Sequence, residues 1–349
     1  MSTYAKVTDL PVEVESYELE PHQLEVSSEF TRLTTVIRLH GGGEEGIGED
    51  VTYDALDHVA QQDTGPNLPL AGSYSLGELC EKIGGLDLFP AEPVRDVSRL
   101  YRRWAFESAA LDLALRQAGR SLADVLGREV RPVTFVMSMR LPPPPTVDPV
   151  RKRLDKYPTL RFKLDPTSDW TDELIADLVE TGAIDSVDFK GYYKGTVVDQ
   201  PADPDLYRRV IEALPDAWIE DPAINDETLP ILEPQHDRIT YDAPIHSIAD
   251  IEALRWPPKM VNVKPSRFGS LQALMDGYDY LDERGIRAYG GGQWELSCGR
   301  GQIQYLASLF HADTPNDVAP IGYGSPDVPS GLPDSPLDPT PSETGFRWS

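Results

Sequence analysis

The sequence predicts an α/β fold built on a parallel β-barrel. Between residues 160 and 265, five short apolar segments each end on a charged residue. These charged endings lie 22 to 32 residues apart, which is about the length of one strand plus one crossover helix. Parallel strands that are buried on both faces have short apolar sequences of this kind. Helical patterns fill the intervals, so strands and helices alternate as they do in βαβ units.

The charged endings are, in order, Lys163, Asp188, Glu220, Asp242 and Lys264. Barrel enzymes carry their chemistry at the carboxyl ends of the strands, so these five side chains are expected at one mouth. Three carboxylates on consecutive strands suit a hard divalent cation such as Mg²⁺, which prefers oxygen ligands. Taken singly, each residue could equally be a helix N-cap, a turn residue or a solvated charge. The order and spacing of all five favour a functional site.

Shorter patterns predict the remaining barrel strands. Residues 133–140 alternate as a first strand, Arg287–Gly290 form a seventh, and residues 318–323 form an eighth. Three glycines at positions 290–292 indicate a backbone that approaches either a substrate or a neighbouring strand. Gln293 and Glu295, which follow these glycines, are candidate substrate-binding residues at the mouth.

The N-terminal part of the chain has a different pattern. Residues 12–17 and 31–39 alternate as antiparallel strands. The glycine-rich run at 41–48 predicts a hairpin turn, because it lacks the Gly-Lys-Ser/Thr ending of a phosphate-binding loop. Residues 104–119 place apolar side chains on one face of a helix, and residues 121–126 predict a second, short helix.

With these residues identified, the chain resembles the enolase superfamily, and within it the mandelate racemase/muconate-lactonizing-enzyme group, nearest the muconate-lactonizing-enzyme subgroup. In that subgroup a Lys-x-Lys motif ends the second barrel strand, Asp, Glu and Asp metal ligands end the next three, and a lysine ends the sixth. The resemblance covers roughly residues 14–323. It implies a modified TIM barrel, (β/α)7β, with an α+β capping domain.

The resemblance also implies roles for individual residues. Lys163 and Lys264 correspond to the acid/base pair, and three carboxylates correspond to the ligands of Mg²⁺, with Mn²⁺ as an alternative: Asp188, Glu220 and Asp242. Two capping-domain loops, near residues 20–29 and 49–55, would close over the substrate. The implied domains are the capping domain at 1–130 and the barrel at 131–323. A tail at 324–349 is rich in Pro, Ser and Asp but ends in Phe346-Arg-Trp, so it is either disordered or packs back on the capping domain.

Two residues depart from the subgroup's motifs. Arg161 stands in place of the first lysine of Lys-x-Lys. Strand alternation places Arg161 on the same face as Lys163, so its positive charge would depress the pKa of that lysine. Lys190 stands where the family typically has the Asn of Asp-x-Asn, beside Asp188. Lys190 could bind an anionic group of the substrate, pair with a carboxylate and weaken metal binding, or extend into solvent.

The reaction implied by the resemblance is removal of the proton α to a carboxylate through an enediolate. The outcome would be racemisation or epimerisation of a small carboxylate, or syn elimination or cycloisomerisation. The enzyme would thus be an isomerase or a lyase, including a dehydratase of the o-succinylbenzoate synthase type. One alternative is a catalytically silent relative that binds an anionic ligand with Lys190 in place of the metal. Another is a sugar hydrolase that uses Glu220 and Asp242, which leaves both lysines unexplained.

Composition limits the partners. A net charge of −26 argues against nucleic acid and anionic membrane surfaces, both of which would repel the protein. Cys80 and Cys298 are expected to be free thiols, as in a reducing compartment. No apolar stretch is long enough to span a bilayer and no signal peptide is evident, so we expect a cytoplasmic protein. Homo-oligomers are common in the family and are an expectation here as well.

Overall fold

The N-terminal part of the chain forms antiparallel strands packed on a long helix. The structure is a computed structural model that describes residues 2–27, 30–196 and 198–348. The strands here are β1 Pro11–Val14, β2 Ser16–Ser27, β3 Phe30–Gly41, β4 Glu44–Asp50 and β5 Gly72–Ser75. The helices are α1 Ala55–Thr64, α2 Leu76–Gly84, α3 Ser98–Gln117 and α4 Leu122–Leu126, and a short 3₁₀ turn spans Tyr4–Lys6.

Strands β2, β3 and β4 form one antiparallel sheet, and β1 pairs with β5. Gly42 and Gly43 join β3 to β4 with φ angles of +57° and +77°, so the predicted hairpin turn is confirmed. Helix α3 packs closely on β4, because a Cβ atom on Gly46 or Gly48 would come within 2.2 Å of the helix backbone. The predicted helices at 104–119 and 121–126 correspond to α3 and α4.

In the second part of the chain, strands and helices alternate. The strands are β6 Val136–Met139, β7 Arg161–Leu164, β8 Ile184–Asp188, β9 Trp218–Glu220, β10 Ile239–Thr240, β11 Met260–Val263 and β12 Arg287–Gly290. The helices are α5 Asp148–Leu154, α6 Asp172–Thr181, α7 Pro204–Ala213, α8 Leu229–Leu232, α9 Ile248–Glu252, α10 Pro265–Phe268, α11 Leu271–Arg284 and α12 Cys298–Phe310, with a 3₁₀ helix at Glu233–Arg238. Each predicted strand from the first to the seventh overlaps an observed one.

These strands are parallel. Five of them form a sheet in the order β10-β9-β8-β7-β6, and β11 pairs with β12. Single hydrogen bonds continue the parallel order beyond these sheets: Asn262 N to Tyr241 O at 2.9 Å, Asp317 N to Gly290 O at 2.8 Å and Val136 N to Asn316 O at 2.8 Å. The chain thus has an α/β fold with parallel strands whose carboxyl ends share one side.

The prediction for the eighth strand is wrong in its position. Parallel pairing occurs at Asn316 and Asp317, through isolated bridges to Phe135 and Gly291, and residues 318–323 form no strand. Pro320 has no N–H to donate to a ladder. The side chain of Asn316 supplies part of the pairing instead, because its Oδ1 accepts the Gly290 N–H at 2.6 Å.

His311 is buried next to Asn316. Its Nδ1 lies 2.6 Å from Asn316 Oδ1, and its Nε2 lies 3.2 Å from the Tyr278 hydroxyl. A neutral ring with the proton on Nδ1 satisfies both contacts, since the other nitrogen can then accept from Tyr278. Burial lowers the pKa of His311 to about 4, outweighing the hydrogen bond to Asn316.

We therefore expect His311 to make the fold sensitive to acid. The unfolded chain, with a histidine pKa near 6.5, binds the proton first as the pH falls, so the contribution of His311 is full above pH ~6.5 and lost towards pH ~4. Between pH 7 and 5 the loss should be about 2 kcal/mol. Urea denaturation at both pH values checks this, with His311→Gln as the reference that lacks the titrating group. Equal pH dependence in the two proteins would contradict it.

The C-terminal tail lies against the rest of the chain. Val133 and Leu337 exchange hydrogen bonds between their backbones at 2.9 and 2.8 Å. Phe346 is fully buried against Trp104 and Tyr305. The Phe346 N–H and the Arg347 side chain both donate to the buried carboxylate of Asp112 on α3, at 2.7 and 2.8 Å. The described part of the tail therefore packs on α3, on α12 and on the segment before β6.

Most of the first expected capping loop, near residues 20–29, forms a strand. Residues 20–25 pair with β3 as a continuous strand, so the expected first loop is not a loop there, and residues 28 and 29 at its end lie outside the described residues. Cys80 and Cys298 are both free thiols, as predicted. In the described ranges, no helix combines the length and apolar character needed to cross a membrane.

Candidate active site

The five charged strand endings lie together on the carboxyl side of the parallel strands. Lys163 is in β7, Asp188 ends β8, Glu220 ends β9, Asp242 follows β10, and Lys264 follows β11. All five side chains are buried, with exposed fractions of 0 to 7%. Because the strand order is β7-β8-β9-β10 and then β11, the two lysines flank the three carboxylates.

Lys163 is surrounded by carboxylates. Its Nζ lies 2.6 Å from Glu220 Oε1, 3.1 Å from Asp317 Oδ2 and 3.6 Å from Asp188 Oδ2. Burial by itself lowers the pKa of Lys163, but Glu220, Asp317 and Asp188 outweigh it and hold this pKa well above its ordinary value. Asp317 was not predicted as a site residue, because it belongs to the misplaced eighth strand.

Lys264 has a different electrostatic environment. Its Nζ donates to Asp242 Oδ2 at 2.8 Å, and Arg267, one turn later in α10, donates to Asp242 Oδ1 at 2.7 Å. Burial, together with the charges of Arg267 and Lys163, lowers the pKa of Lys264 despite Asp242. Gly291 leaves room for this lysine, since a Cβ atom there would lie 2.8 Å from Lys264 Cε and from Asn262 Oδ1. Arg267 was not predicted as a site residue, although its position three residues after Lys264, at the start of a helix, could have indicated it.

Lys190 turns back towards Asp188. Its φ of +53° is left-handed, and its backbone N–H donates to Asp188 Oδ1 at 3.0 Å. Its ammonium group donates to Asp188 Oδ2, lies 3.7 Å from Asp165 Oδ1 and is 5.1 Å from the centre of the Tyr193 ring. Of the three alternatives for Lys190, the structure therefore shows the ion pair with a carboxylate, and extension into solvent is wrong.

Other left-handed residues occur at the same side of the parallel strands. Asp221 follows β9 with a φ of +46°, and Trp294 follows β12 with a φ of +63°. The buried carboxylate of Asp221 accepts hydrogen bonds from the backbone N–H groups of Asp242 and Ala243 at 2.9 and 2.8 Å. Burial and the nearby Asp242 and Asp188 raise the pKa of Asp221 to about 7.

Glu220 is buried close to other carboxylates, as Asp221 is. Its Oε1 accepts a hydrogen bond from Lys163, and its Oε2 accepts one from the Tyr289 hydroxyl. Burial, with the charges of Asp188 and Asp242, raises the pKa of Glu220 well above its ordinary value despite Lys163. Among the described residues joined by these contacts, six carboxylates face five cations: Asp165, Asp188, Glu220, Asp221, Asp242 and Asp317 against Arg140, Lys163, Lys190, Lys264 and Arg267.

Gln293 and Glu295 form a second part of the region, after β12. The buried guanidinium of Arg32, on β3, donates to the carbonyls of Gln293 and Trp294 at 2.9 and 3.2 Å. Glu295 Oε2 lies 3.3 Å from Arg300, and the Gln293 Nε2 atom is buried without a hydrogen-bond partner in the described part of the chain. Within residues 2–27, 30–196 and 198–348, neither side chain hydrogen-bonds to the five strand endings.

The second expected capping loop, near residues 49–55, lies beside Gln293 and Glu295. Arg32 also donates to the carbonyls of Val51 and Thr52, and the Tyr53 hydroxyl lies 3.3 Å from Gln293 Oε1. The Glu49 carboxylate accepts hydrogen bonds from backbone N–H groups at the start of α12, including that of Gly299 at 2.9 Å. The N-terminal sheet is thus joined to the loop that follows β12.

The expectation that Arg161 shares the site with Lys163 is wrong. Arg161 begins β7, and its guanidinium donates to Asp185 Oδ1 at 2.9 Å and to the carbonyl of Gly182, with its side chain 39% exposed. Strand alternation predicts the face of a side chain but not its position along the strand. Arg161 lies two residues towards the amino end of β7, away from the carboxylates around Lys163.

We expect Arg161→Ala to leave the activity of the site nearly unchanged, within about twofold, because an exposed ion pair away from the site contributes little. Turnover of any substrate found below is the measurement, with Lys163→Ala as the comparison that should lose activity. A large loss in Arg161→Ala would contradict this placement.

A divalent cation fits the chemistry of the three carboxylates. Asp188, Glu220 and Asp242 offer buried oxygen atoms at neighbouring strand ends, and burial together with the neighbouring carboxylates raises the pKa of Glu220 and of Asp221. As the side chains lie, no group of three or more His, Cys, Asp or Glu in the described part of the chain is arranged to hold a metal ion. The protein's own ammonium groups contact the carboxylates, with Lys190 on Asp188. The chemistry of the donor set fits a cation, which would have to displace the side chains of Lys163, Lys190, Lys264 and Arg267 from these oxygen atoms.

Solved structures with a similar fold include proteins described as members of the enolase superfamily, from Enterococcus faecalis and Listeria innocua. A dipeptide epimerase from Methylococcus capsulatus, complexed with Mg ion, matches with a TM-score of 0.66 and 18% identity over 87% of this chain and 89% of that one. A dipeptide epimerase from Enterococcus faecalis matches with a TM-score of 0.66 and 15% identity over 97% and 99%. A muconate cycloisomerase variant matches with a TM-score of 0.58 and 20% identity over 85% and 83%.

Sequence comparison agrees with the structural one. The chain is 26% identical over 305 residues to an N-succinylamino acid racemase from Thermus thermophilus, which covers 82% of this chain and 78% of the racemase. Two family models match, the DUF8230 N-terminal domain over residues 5–125 and the DUF8230 C-terminal domain over residues 129–325, both described as domains of unknown function. The structural relatives include proteins described as enolase superfamily members, and the chain itself belongs to the DUF8230 family.

Proposed function

We propose that this protein removes the proton α to a carboxylate group of a small substrate, with Lys163 and Lys264 as the acid/base pair. The observation that carries the proposal is the placement of two buried lysines on the strand ends that flank three buried carboxylates. Lysines are uncommon in protein interiors, because burial penalises the ammonium form. Two of them at one site indicate a chemical rather than a structural requirement.

The α proton of a carboxylate is very weakly acidic, so its removal needs a positioned base and stabilisation of the charge that forms. Lysines on either side of the substrate would remove the proton from one face and return it to the other, which gives racemisation or epimerisation. If one lysine acts alone and the other only stabilises charge, the same residues support syn elimination or cycloisomerisation.

We propose that Asp188, Glu220 and Asp242 hold Mg²⁺, or Mn²⁺, when the protein is active. Such a cation supplies charge stabilisation to the substrate carboxylate. Support comes from the donor chemistry and from the excess of carboxylates, since an anionic substrate would otherwise be repelled. The Mg ion in the Methylococcus relative adds to this support.

The relatives favour an isomerase over a lyase. Two structural relatives are named dipeptide epimerases and the sequence relative is an N-succinylamino acid racemase. We therefore propose an amino-acid derivative, either an N-acylamino acid or a dipeptide, as the first substrate class to test.

The proposal includes the architecture that brings the lysines together. We propose that the parallel segments close into a (β/α)7β barrel at 131–323, with an α+β capping domain at 1–130 and a tail at 324–349. The three single hydrogen bonds that continue the strand order from β10 to β11, from β12 to Asp317 and from Asn316 to β6 support closure.

A second function is favoured by one contact, the ion pair between Lys190 and Asp188. If Lys190 permanently replaces the metal, the protein would bind an anionic ligand without catalysing a reaction. Such a protein would retain no Mn²⁺ and would exchange no substrate protons.

Proton exchange in D₂O distinguishes the two functions. Protein stripped of metal and resupplied with Mg²⁺ or Mn²⁺ is incubated with N-acylamino acids, dipeptides and hydroxy acids, and deuterium incorporation is measured by mass spectrometry. Incorporation at the α carbon that requires added metal supports the enzyme. Absence of exchange across the panel, together with absence of bound metal, supports the silent binder.

A further inference from the structure

Lys190 lies between two buried carboxylates and pairs fully with only one of them. We propose that Lys190 is an internal counterion that competes with the divalent cation for Asp188 and moves to Asp165 when the cation binds. This inference rests on the metal site of the proposed function, and it concerns what controls the affinity of that site.

The second position for the ammonium group is already present. Asp165 is 8% exposed, and its Oδ1 atom is buried with no hydrogen-bond partner among the residues that the structure describes. Lys190 Nζ lies 3.7 Å from that oxygen, so a shift of about 1 Å would bring it to hydrogen-bond distance. Buried carboxylate oxygens that lack partners are costly, which makes Asp165 a ready acceptor.

The backbone of Lys190 holds the residue in place while its head group moves. The Lys190 N–H is fixed to Asp188 Oδ1 at 3.0 Å, and the left-handed backbone directs the side chain towards both carboxylates. The lysine side chain is a flexible four-carbon stem that carries a compact charge. A divalent cation at Asp188 would repel that charge, and Asp165 lies on the side to which it can move.

Competition of this kind lowers the apparent affinity for metal. The cation binds only the fraction of molecules in which Asp188 is free, so the measured dissociation constant exceeds the intrinsic one by the inverse of that fraction. Removing Lys190 should tighten binding, whereas removing the acceptor at Asp165 should weaken it. The two substitutions thus have opposite expected effects at one site.

The test is direct titration with Mn²⁺, in which the electron paramagnetic resonance signal of free Mn²⁺ reports binding without any substrate. The proteins are wild type, Lys190→Met, Asp165→Asn and the double variant, each stripped of metal and checked for folding by circular dichroism. Lys190→Met should bind Mn²⁺ roughly tenfold tighter or more, and Asp165→Asn several-fold more weakly. In the Lys190→Met background, Asp165→Asn should have little further effect, because the competing group is gone.

The matched control is Lys194→Met. This substitution removes the same charge from the protein as Lys190→Met, four residues away. The Lys194 side chain, however, is 60% exposed and lies 3.5 Å from Asp199. Its Mn²⁺ affinity should remain within about twofold of wild type, since exposed charges are screened. A similar gain in Lys194→Met would mean that net charge, and not competition at Asp188, controls affinity.

Other outcomes would overturn the proposal. Unchanged affinity in Lys190→Met excludes competition, and an equal effect of Asp165→Asn in both backgrounds excludes Asp165 as the alternative partner. If wild type binds Mn²⁺ and exchanges substrate protons while Lys190→Met binds no tighter, this inference fails and the proposed function stands. If none of the four proteins binds Mn²⁺, both the competition and the metal site are wrong.

Discussion

For the proposed reaction, replacing Lys264 with Met is expected to abolish racemisation and to slow α-proton exchange for one enantiomer of the substrate by about 10²- to 10⁴-fold, the usual contribution of a positioned acid or base. Exchange of the other enantiomer should continue at a measurable rate, because Lys163 remains on the opposite flank of the carboxylates. Lys163→Met should show the reverse preference. Deuterium incorporation into each pure enantiomer measures both effects.

Lys259→Met is the matched control for Lys264→Met. Lys259 directly precedes β11, its side chain is 63% exposed, and it lies 3.7 Å from Asp237, so its loss should not change exchange. If Lys264→Met loses exchange with both enantiomers and Lys163→Met with neither, one lysine acts alone, as elimination or cycloisomerisation requires. Full activity in both variants would contradict the acid/base assignment.

The largest expected effect on stability is that of Arg102→Met. The Arg102 and Asp50 side chains are both fully buried, and Arg102 Nε donates to Asp50 Oδ2 at 2.7 Å. The same guanidinium donates to the Asp57 carbonyl at 3.0 Å and lies 3.6 Å from the centre of the Phe89 ring. Removing it leaves Asp50 buried without its main counterion, so we expect a loss of about 3–5 kcal/mol in the free energy of unfolding.

Arg99→Met on the same helix separates burial from charge. Arg99 has a 37% exposed side chain and pairs with Asp87, Glu92 and Asp96, which are 71 to 93% exposed. Such surface pairs contribute about 0–1 kcal/mol, so Arg99→Met should be nearly neutral. Urea denaturation of both variants at one salt concentration is the measurement, and comparable losses would show that burial of the Arg102 pair does not matter.

Local patterns predicted most elements of the fold. A strand buried on both faces must be apolar along its length, and a charged residue at its end marks where burial in the sheet stops. This relation located β7, β8, β9, β10 and β11, and it identified the strand endings from Lys163 to Lys264. The relation between apolar runs and strands was less reliable for the eighth strand, where only Asn316 and Asp317 pair with neighbouring strands.

Three further charged residues at the site were not predicted. Asp165 and Asp317 contact the lysines although neither ends one of the five apolar segments, and Arg267 belongs to the short helix after Lys264. The prediction for Arg161 was wrong, because alternation along a strand gives the face of a side chain but not the end of the strand at which it binds. The Arg161 guanidinium binds Asp185 and Gly182 at the amino end of β7. For Lys190 the sequence left three alternatives, because the apolar pattern does not show the left-handed backbone that turns this residue back towards Asp188.

The sequence by itself determined the order of strands and helices and the identity of the charged residues at the strand ends, because both depend on neighbours along the chain. Only the tertiary structure decided which charges meet. Contacts such as Lys163 with Asp317, Lys190 with Asp188 and Arg32 with Gln293 join residues whose approach depends on how separate elements pack. Their distances set the electrostatic balance of the site, since the interaction of two charges in a buried region depends strongly on separation and burial.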